Sequence, residues 1–174
     1  MARFRAANLS TVSETFQKAV ERRPDQLFLD FSGEQHTYAQ IAGEVERLTR
    51  GLHKLGVKRG DRVITVLDNG ADAVISWMAI NQLGAINVPV NTAYKGEFLR
   101  HQAADAGAQV AICETEYLDN LLPVIEGVPD LQHVMHRGSM EPRQVGRSLI
   151  APLDHHKLDS GACPMEAIGA GDLA

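Results

Sequence analysis

A chain of 174 residues with 44% hydrophobic and 22% charged side chains has the makeup of one ordinary soluble domain and too little length for two full cores. Its 17 Lys and Arg against 22 Asp and Glu leave a net charge of -5, which excludes the basic field that nucleic acid or an anionic membrane surface would require. Apolar runs such as residues 74–80 fall far short of the roughly 20 residues of a spanning helix. Arg3 and Arg5 imitate the basic start of a secretion signal, but Asn8, Ser10, Thr11, Ser13 and Glu14 break the segment before an apolar stretch develops, so a cytoplasmic protein is expected.

The first element is announced by Thr11 and Glu14 at capping-box spacing, with Val12, Phe16, Ala19 and Val20 at helical intervals until Pro24. Residues 27–31 and the segment around His36 flank Ser32-Gly33-Glu34 and predict a short hairpin. A second capping box, Thr37 with Gln40, opens a helix whose Ile41, Val45, Leu48, Leu52 and Leu55 lie on one stripe, and Gly56 closes it. Gly60-Asp61 turns the chain into residues 62–67, a near-continuous apolar run of the kind that forms a strand covered on both faces.

Asn69 is placed to cap a further helix with Val74, Trp77, Met78 and Ile80 toward the core, ended by Leu83-Gly84. A buried strand is expected over residues 85–90, a helix over 95–106, a strand over 109–113, a helix over 116–126 disturbed by Pro123, and a strand near His133. This alternation predicts an α/β fold, a mainly parallel sheet flanked by helices. From Gly138 the periodicity fades, so residues 1–137 are expected to form the α/β part and 138–174 a loop-rich segment.

Cys113 and Cys163 are too few for a disulfide framework or a four-ligand zinc site, and free thiols are expected. His36, His53, His101, His133, His136, His155 and His156 show no metal-ligand spacing. After residue 67 comes Asp68-Asn69-Gly70-Ala71-Asp72, with one glycine where a dinucleotide turn needs three and two carboxylates that repel pyrophosphate. Asp68 lacks the acidic pair and strand-end Lys of a phospho-receiver, which leaves capping or a turn as the job of Asp68 and Asn69. No GxSxG elbow occurs. Asp154, His155, Asp159 and Ser160 have suitable chemistry but lie in a segment expected to be a solvated tail, and Trp77 is assigned to packing.

The residues from 36 to 91, HTYAQIAGEVERLTRGLHKLGVKRGDRVITVLDNGADAVISWMAINQLGAINVPVN, resemble the amino-terminal region of the AMP-forming acyl-CoA synthetase superfamily, which includes amino-acid adenylation domains and luciferases. The matching pieces come in order: Pro24, Thr37-Tyr38, the helix-to-strand junction from Gly51 through Gly60-Asp61 to Val63, and the strand from Gly84 to Asn91. The likeness continues through NTAYKGEFLRHQAADAGAQVAI to about Gly138, and Asn91, where adenylation domains often carry Asp, points to the acyl-CoA ligase branch and to its short-chain, medium-chain and carnitine-related members.

What the resemblance implies is the N-terminal subdomain of an adenylate-forming enzyme, truncated: a ligase of fatty acid metabolism that joins a carboxylate to ATP and passes the acyl group to CoA. The phosphate loop, the adenine-contacting segment, the aromatic-Gly-x-Thr-Glu motif, the ribose-binding Asp and the catalytic Lys of that family do not occur, so no catalytic, cofactor-binding or metal residue is assigned. Gly171-Asp172-Leu173-Ala174 resembles the approach to the strand before the phosphate loop. ATP, Mg and CoA are implied for the full enzyme and none for this chain. The partners implied are the remainder of the catalytic domain and a carboxylic-acid substrate, with a homo-oligomer left open. The alternative is a stand-alone, non-catalytic α/β protein-binding module, disfavoured because Leu121, Leu122, Val124, Leu149 and Ile150 are expected to form surfaces that meet more protein.

Overall fold

The computed structural model describes residues 11–166 and 169, so the readings of Arg3, Arg5, Asn8 and Ser10 and of the segment 171–174 lie outside the described residues. Helix α1 (Val12–Arg22) starts at the Thr11–Glu14 capping box and buries Phe16, and α2 (Tyr38–Lys54) starts at the reciprocal Thr37–Gln40 box. Between them, β1 (Leu27–Phe31) and β2 (Glu34–Thr37) form the antiparallel hairpin, with Ser32 and Gly33 both at positive φ in the turn. Phe16, Phe28 and Tyr38 stack at centroid separations of 4.7–6.1 Å and fasten hairpin and α1 to α2.

The main sheet contains β3 (Arg62–Val66), β4 (Ile86–Pro89), β5 (Val110–Glu114), β6 (His133–Arg137), β7 (Arg143–Val145) and β8 (Ser148–Pro152) in the spatial order β4-β3-β5-β6-β8-β7. Every pairing is parallel except β7 with β8. Helices α3 (Ala71–Gln82) and α4 (Gly96–Ala106) make the first two crossovers, and a composite of one α-turn, α5 (Leu118–Leu121), between two 3-10 turns makes the third. Because side chains alternate along a strand, the sheet feeds two cores. Val63, Val110, Ile112 and Met135 pack with α1, α2 and α3 on one face, and Ile64, Val66, Ala111, Cys113, Val134 and Ile150 pack with α4 and the 115–127 segment on the other. The expected α/β class and mainly parallel sheet are what the chain forms.

Several local expectations are corrected. Helix α3 is capped by the backbone at Gly70 with no side-chain bond, so Asn69 is not its cap. Ile75, Ala79 and Ile80 are buried while Trp77 is 36% exposed and Val74 and Met78 are half-buried. The helix carries apolar groups at nearly every angle, so spacing alone found Ile80 but missed Ile75 and Ala79 and misplaced Trp77, and packing against α2 decides the inward face. Strand β4 is shorter than expected and half-buried, because it lies at the sheet edge. The expected helix over 116–126 is α5 with its 3-10 flanks, consistent with Pro123 removing an N–H donor.

The segment from Gly138, expected to be loop-rich, instead adds β7, β8 and the single turn α6 (Leu153–His156) to the same sheet and core. These strands carry little sequence signal, because β7 is short and polar at the edge and β8 offers only Leu149-Ile150-Ala151 as an apolar run. Leu121, Val124 and Ile150 are buried within this chain rather than held out for more protein, and Leu122 and Leu149 are half-buried.

Candidate functional site

Strand β3 leads to β4 on one side through α3, and the chain then returns through α4 to β5 on the other side of β3. This reversal opens a crevice at the carboxyl ends of β3 and β5, the place where open parallel sheets hold ligands. The residues there are charged. Glu114 ends β5 and Arg137 ends β6, in register as neighbours. The guanidinium donates from Nη1 to both Glu114 carboxylate oxygens at 3.1 Å and from Nε to Asp72 Oδ2, in the first turn of α3, at 2.7 Å. Glu114 also accepts from the Asp68 backbone N–H at 3.4 Å, while the Asp68 carboxylate accepts from the Tyr117 hydroxyl at 2.9 and 3.1 Å. Asp68 therefore holds a loop to the 3-10 turn after β5, and does not cap a helix.

Lys157 extends the network across the chain. Its ammonium, with a side chain only 8% exposed, lies 2.9 Å from Asp154, 3.0 Å from Glu44 of α2 and 3.6 Å from Asp72. Glu44 in turn pairs with Arg47 at 2.9 Å, and Arg47 with Asp159 at 2.7 Å. Burial works to lower the Lys157 pKa, but hydrogen bonds to Asp154 and Glu44 outweigh it and leave it raised. Burial likewise works to raise Glu44, yet hydrogen bonds from Lys157 and Arg47 hold its carboxyl below the ordinary value. Asp154 and Asp159, assigned from sequence to a solvated tail, do keep exposed side chains, and each is also ion-paired to this network. Ser160 is exposed and outside it.

An open cleft of about 370 Å³, lined by Asp72, Glu114, Arg137, Gly138, Leu153 and Asp154, lies over these groups. It does not fit a triphosphate. Arg137 and Lys157 are each already engaged by two or more carboxylates, and Asp72 stands in the first turn of α3, where a phosphate would need an unopposed positive end. Among the described residues no three His, Cys, Asp or Glu side chains converge as metal ligands. Cys113, buried against the sheet, has its thiol pushed up to about 12 by burial and then by Glu114, so it is no nucleophile. What the network can do chemically is bind secondary-structure ends to one another.

Sequence reasoning missed Glu44, Glu114, Arg137 and Lys157. The readable signal was a charged residue ending an apolar strand run, as in Val-Ala-Ile-Cys-Glu114 and Val-Met-His-Arg137.

Comparison with known proteins agrees with the fold. The profile of the AMP-binding enzyme family matches residues 16–165. The chain belongs to that family. A 4-coumarate–CoA ligase of Arabidopsis thaliana is 32% identical over 95 residues, 55% of this chain and 17% of that protein. An uncharacterized protein of Mycobacterium tuberculosis is 30% identical over 128 residues, 72% of this chain and 71% of that protein. The crystal structure of the anthranilate CoA ligase AuaEII with anthranoyl-AMP superposes with a TM-score of 0.84 at 22% identity, covering 99% of this chain and 32% of that one, a likeness of fold. The chain spans only 17–27% of the length of the first curated CoA ligases it matches.

Two segments that carry the family resemblance, Gly60-Asp61 and Gly84 to Ile86, meet each other at the amino ends of β3 and β4, opposite the crevice. Gly60 donates its N–H to the Gly84 carbonyl at 2.9 Å, and Ile86 donates to the Asp61 carbonyl at 2.7 Å. The Asp61 carboxylate accepts from the Lys58 N–H at 3.1 Å, closing the turn, and Gly60 and Gly84 both stand at positive φ. Asn91 accepts from the Ala93 N–H at 2.9 Å and turns the exit from β4. In this family member those motif residues build scaffold. Among the described residues no helix is long and apolar enough to cross a membrane.

Proposed function

We propose that this chain is the N-terminal part of an ATP-dependent, AMP-forming acyl-CoA ligase. The whole enzyme converts a carboxylate and ATP to acyl-AMP and pyrophosphate, then transfers the acyl group to the CoA thiol. The observation that carries this reading is the family match over residues 16–165, in a chain that spans 17–27% of the length of the first curated CoA ligases it matches. Its partners are then the remainder of the catalytic domain and a carboxylic-acid substrate. ATP, Mg and CoA serve the whole enzyme, and cytoplasmic fatty acid metabolism is its setting. By itself the chain carries out neither half-reaction, since phosphoryl chemistry needs converging donors and its crevice cations are already neutralised by carboxylates.

A second reading, a stand-alone non-catalytic protein-binding module, gains support from one observation, that Leu121, Val124 and Ile150 are satisfied within the chain. Pyrophosphate exchange with a panel of carboxylates, run on the 174-residue chain and on the same chain continued through the downstream reading frame, separates these readings. The ligase reading expects silence from the chain and exchange from its continuation. Saturable exchange by the chain alone overturns its inactivity, and silence from a folded continuation overturns the ligase reading.

A further inference from the structure

The segment that follows β8 runs back across the outer side of α2 and reaches the end of α3. Leu158 donates its N–H to the Arg47 carbonyl at 3.0 Å, the Cys163 thiol accepts from Gln82 Nε2 at 3.5 Å, and Glu166 donates to the Gln82 carbonyl at 3.0 Å. The contact with α2 is so close that a Cβ at Gly51 would fall on the His156 carbonyl oxygen. We propose that residues 153–166 form an acid-released strap, whose trigger is protonation of His156 and whose release withdraws Lys157 from the crevice network.

His156 is 7% exposed, and its Nε2 is buried without a hydrogen-bond partner. The groups that face it are cationic or can become so: His155 on its own turn, at 5.2 Å between ring centroids, His133 of β6 at 6.3 Å, and Lys54 of α2. Strand β8, Ser-Leu-Ile-Ala-Pro, offers no ionisable side chain. The carboxylates nearby on α2, α3 and α6, Glu44, Asp72 and Asp154, are held by Lys157. A proton on His156 therefore meets no counter-charge in the closed strap and is fully solvated in the open one. Burial and those neighbours lower its pKa to about 4. Opening restores an ordinary value of about 6.5, so acid favours the open form. Lys157 moves with the strap because it is the next residue, and its departure leaves Asp72 with Arg137 alone.

The test is amide hydrogen exchange on the full chain at pH 7.5 and pH 5.0, corrected for the intrinsic pH dependence of exchange. Protection of the Leu158 amide should fall about tenfold or more while staying well below that of the β5 amides at both pH values, and in His156→Gln the fall should vanish. Unchanged Leu158 protection, Leu158 protection equal to that of β5, or an undiminished fall in His156→Gln each overturns the proposal. Should His156→Gln leave the strap open at both pH values, the wild-type imidazole resonance decides. Leu158 protection must begin to fall near pH 6.5 and level off where that resonance titrates, and a fall that starts only below its titration overturns the strap.

Discussion

Arg137 and Glu114 end adjacent parallel strands in register and form a two-oxygen pair, both contacts 3.1 Å, that binds the carboxyl ends of β5 and β6. Glu114 is the buried member, with a side chain 9% exposed against 42% for Arg137. Removing the arginine therefore strands a carboxylate in low dielectric, the expensive way to break a pair. Arg137→Ala should lower unfolding stability by roughly 1–3 kcal/mol, below the range for wholly buried pairs because water reaches the guanidinium. In urea unfolding, Glu114→Gln combined with Arg137→Ala should lose less than the sum of the single losses. Strict additivity would show that the two side chains are not coupled.

The corrected face of α3 gives a paired test. Ile75 is 3% exposed in the core beside α2 and Trp77 is 36% exposed. Ile75→Ala should destabilise by about 2–5 kcal/mol and Trp77→Ala by less, although tryptophan is the larger side chain. On α2, where the sequence stripe and the buried set coincide, Leu48→Ala should also cost about 2–5 kcal/mol. A larger loss from Trp77→Ala than from Ile75→Ala would restore the face that spacing alone favoured.

The difference between α2 and α3 shows what the sequence makes legible. In α2 the polar residues occupy one side, so Ile41, Val45, Leu48 and Leu52 define the core without knowledge of neighbours. In α3 apolarity is nearly continuous and the inward face depends on α2. Strands β3 and β5 were readable because they are apolar on both faces, whereas β7 and β8 depend on the sheet already being there to pair with. The crevice network was illegible for a related reason. Glu44 and Lys157 stand 113 positions apart in the numbering, and their 3.0 Å contact exists only after the strap has crossed α2.

Two glycines of α2 should respond oppositely to alanine. Gly43 is exposed with nothing within 4 Å of an added Cβ, so Gly43→Ala should stabilise by up to about 1 kcal/mol through helix propensity. At Gly51 the same gain competes with a collision against the His156 backbone, and backbone cannot rotate aside. Gly51→Ala should lose on the order of 1–3 kcal/mol. Thermal or urea denaturation of both variants reads the signs directly, and a stabilised Gly51→Ala would mean that α6 does not rest on α2.

Global stability should fall with acid in two stages. His156, lowered to about 4 by burial and then by His155, His133 and Lys54, binds its proton less readily folded than unfolded, where its value is about 6.5. The unfolded chain thus takes up more protons between these values, and stability that is complete above about pH 6.5 declines as pH falls toward 4, by on the order of 2 kcal/mol after solvent screening. His133 and His136, both lowered chiefly by burial, act in the same direction. Glu44 adds the second stage. Its folded value lies below the ordinary 4.5, so the stability it contributes above that point is lost only as pH falls further. Lys157, raised above 10.5, gives the opposite limb, its contribution present below that pH and lost as pH rises through the folded value. Urea midpoints measured from pH 8 to pH 3 should decline from about pH 6.5. His156→Gln should flatten the first part of that decline and leave the part below pH 4.5, whereas Glu44→Gln should do the reverse. A flat profile between pH 6.5 and 4.5 in the unaltered chain would mean that His156 is as free to ionise folded as unfolded.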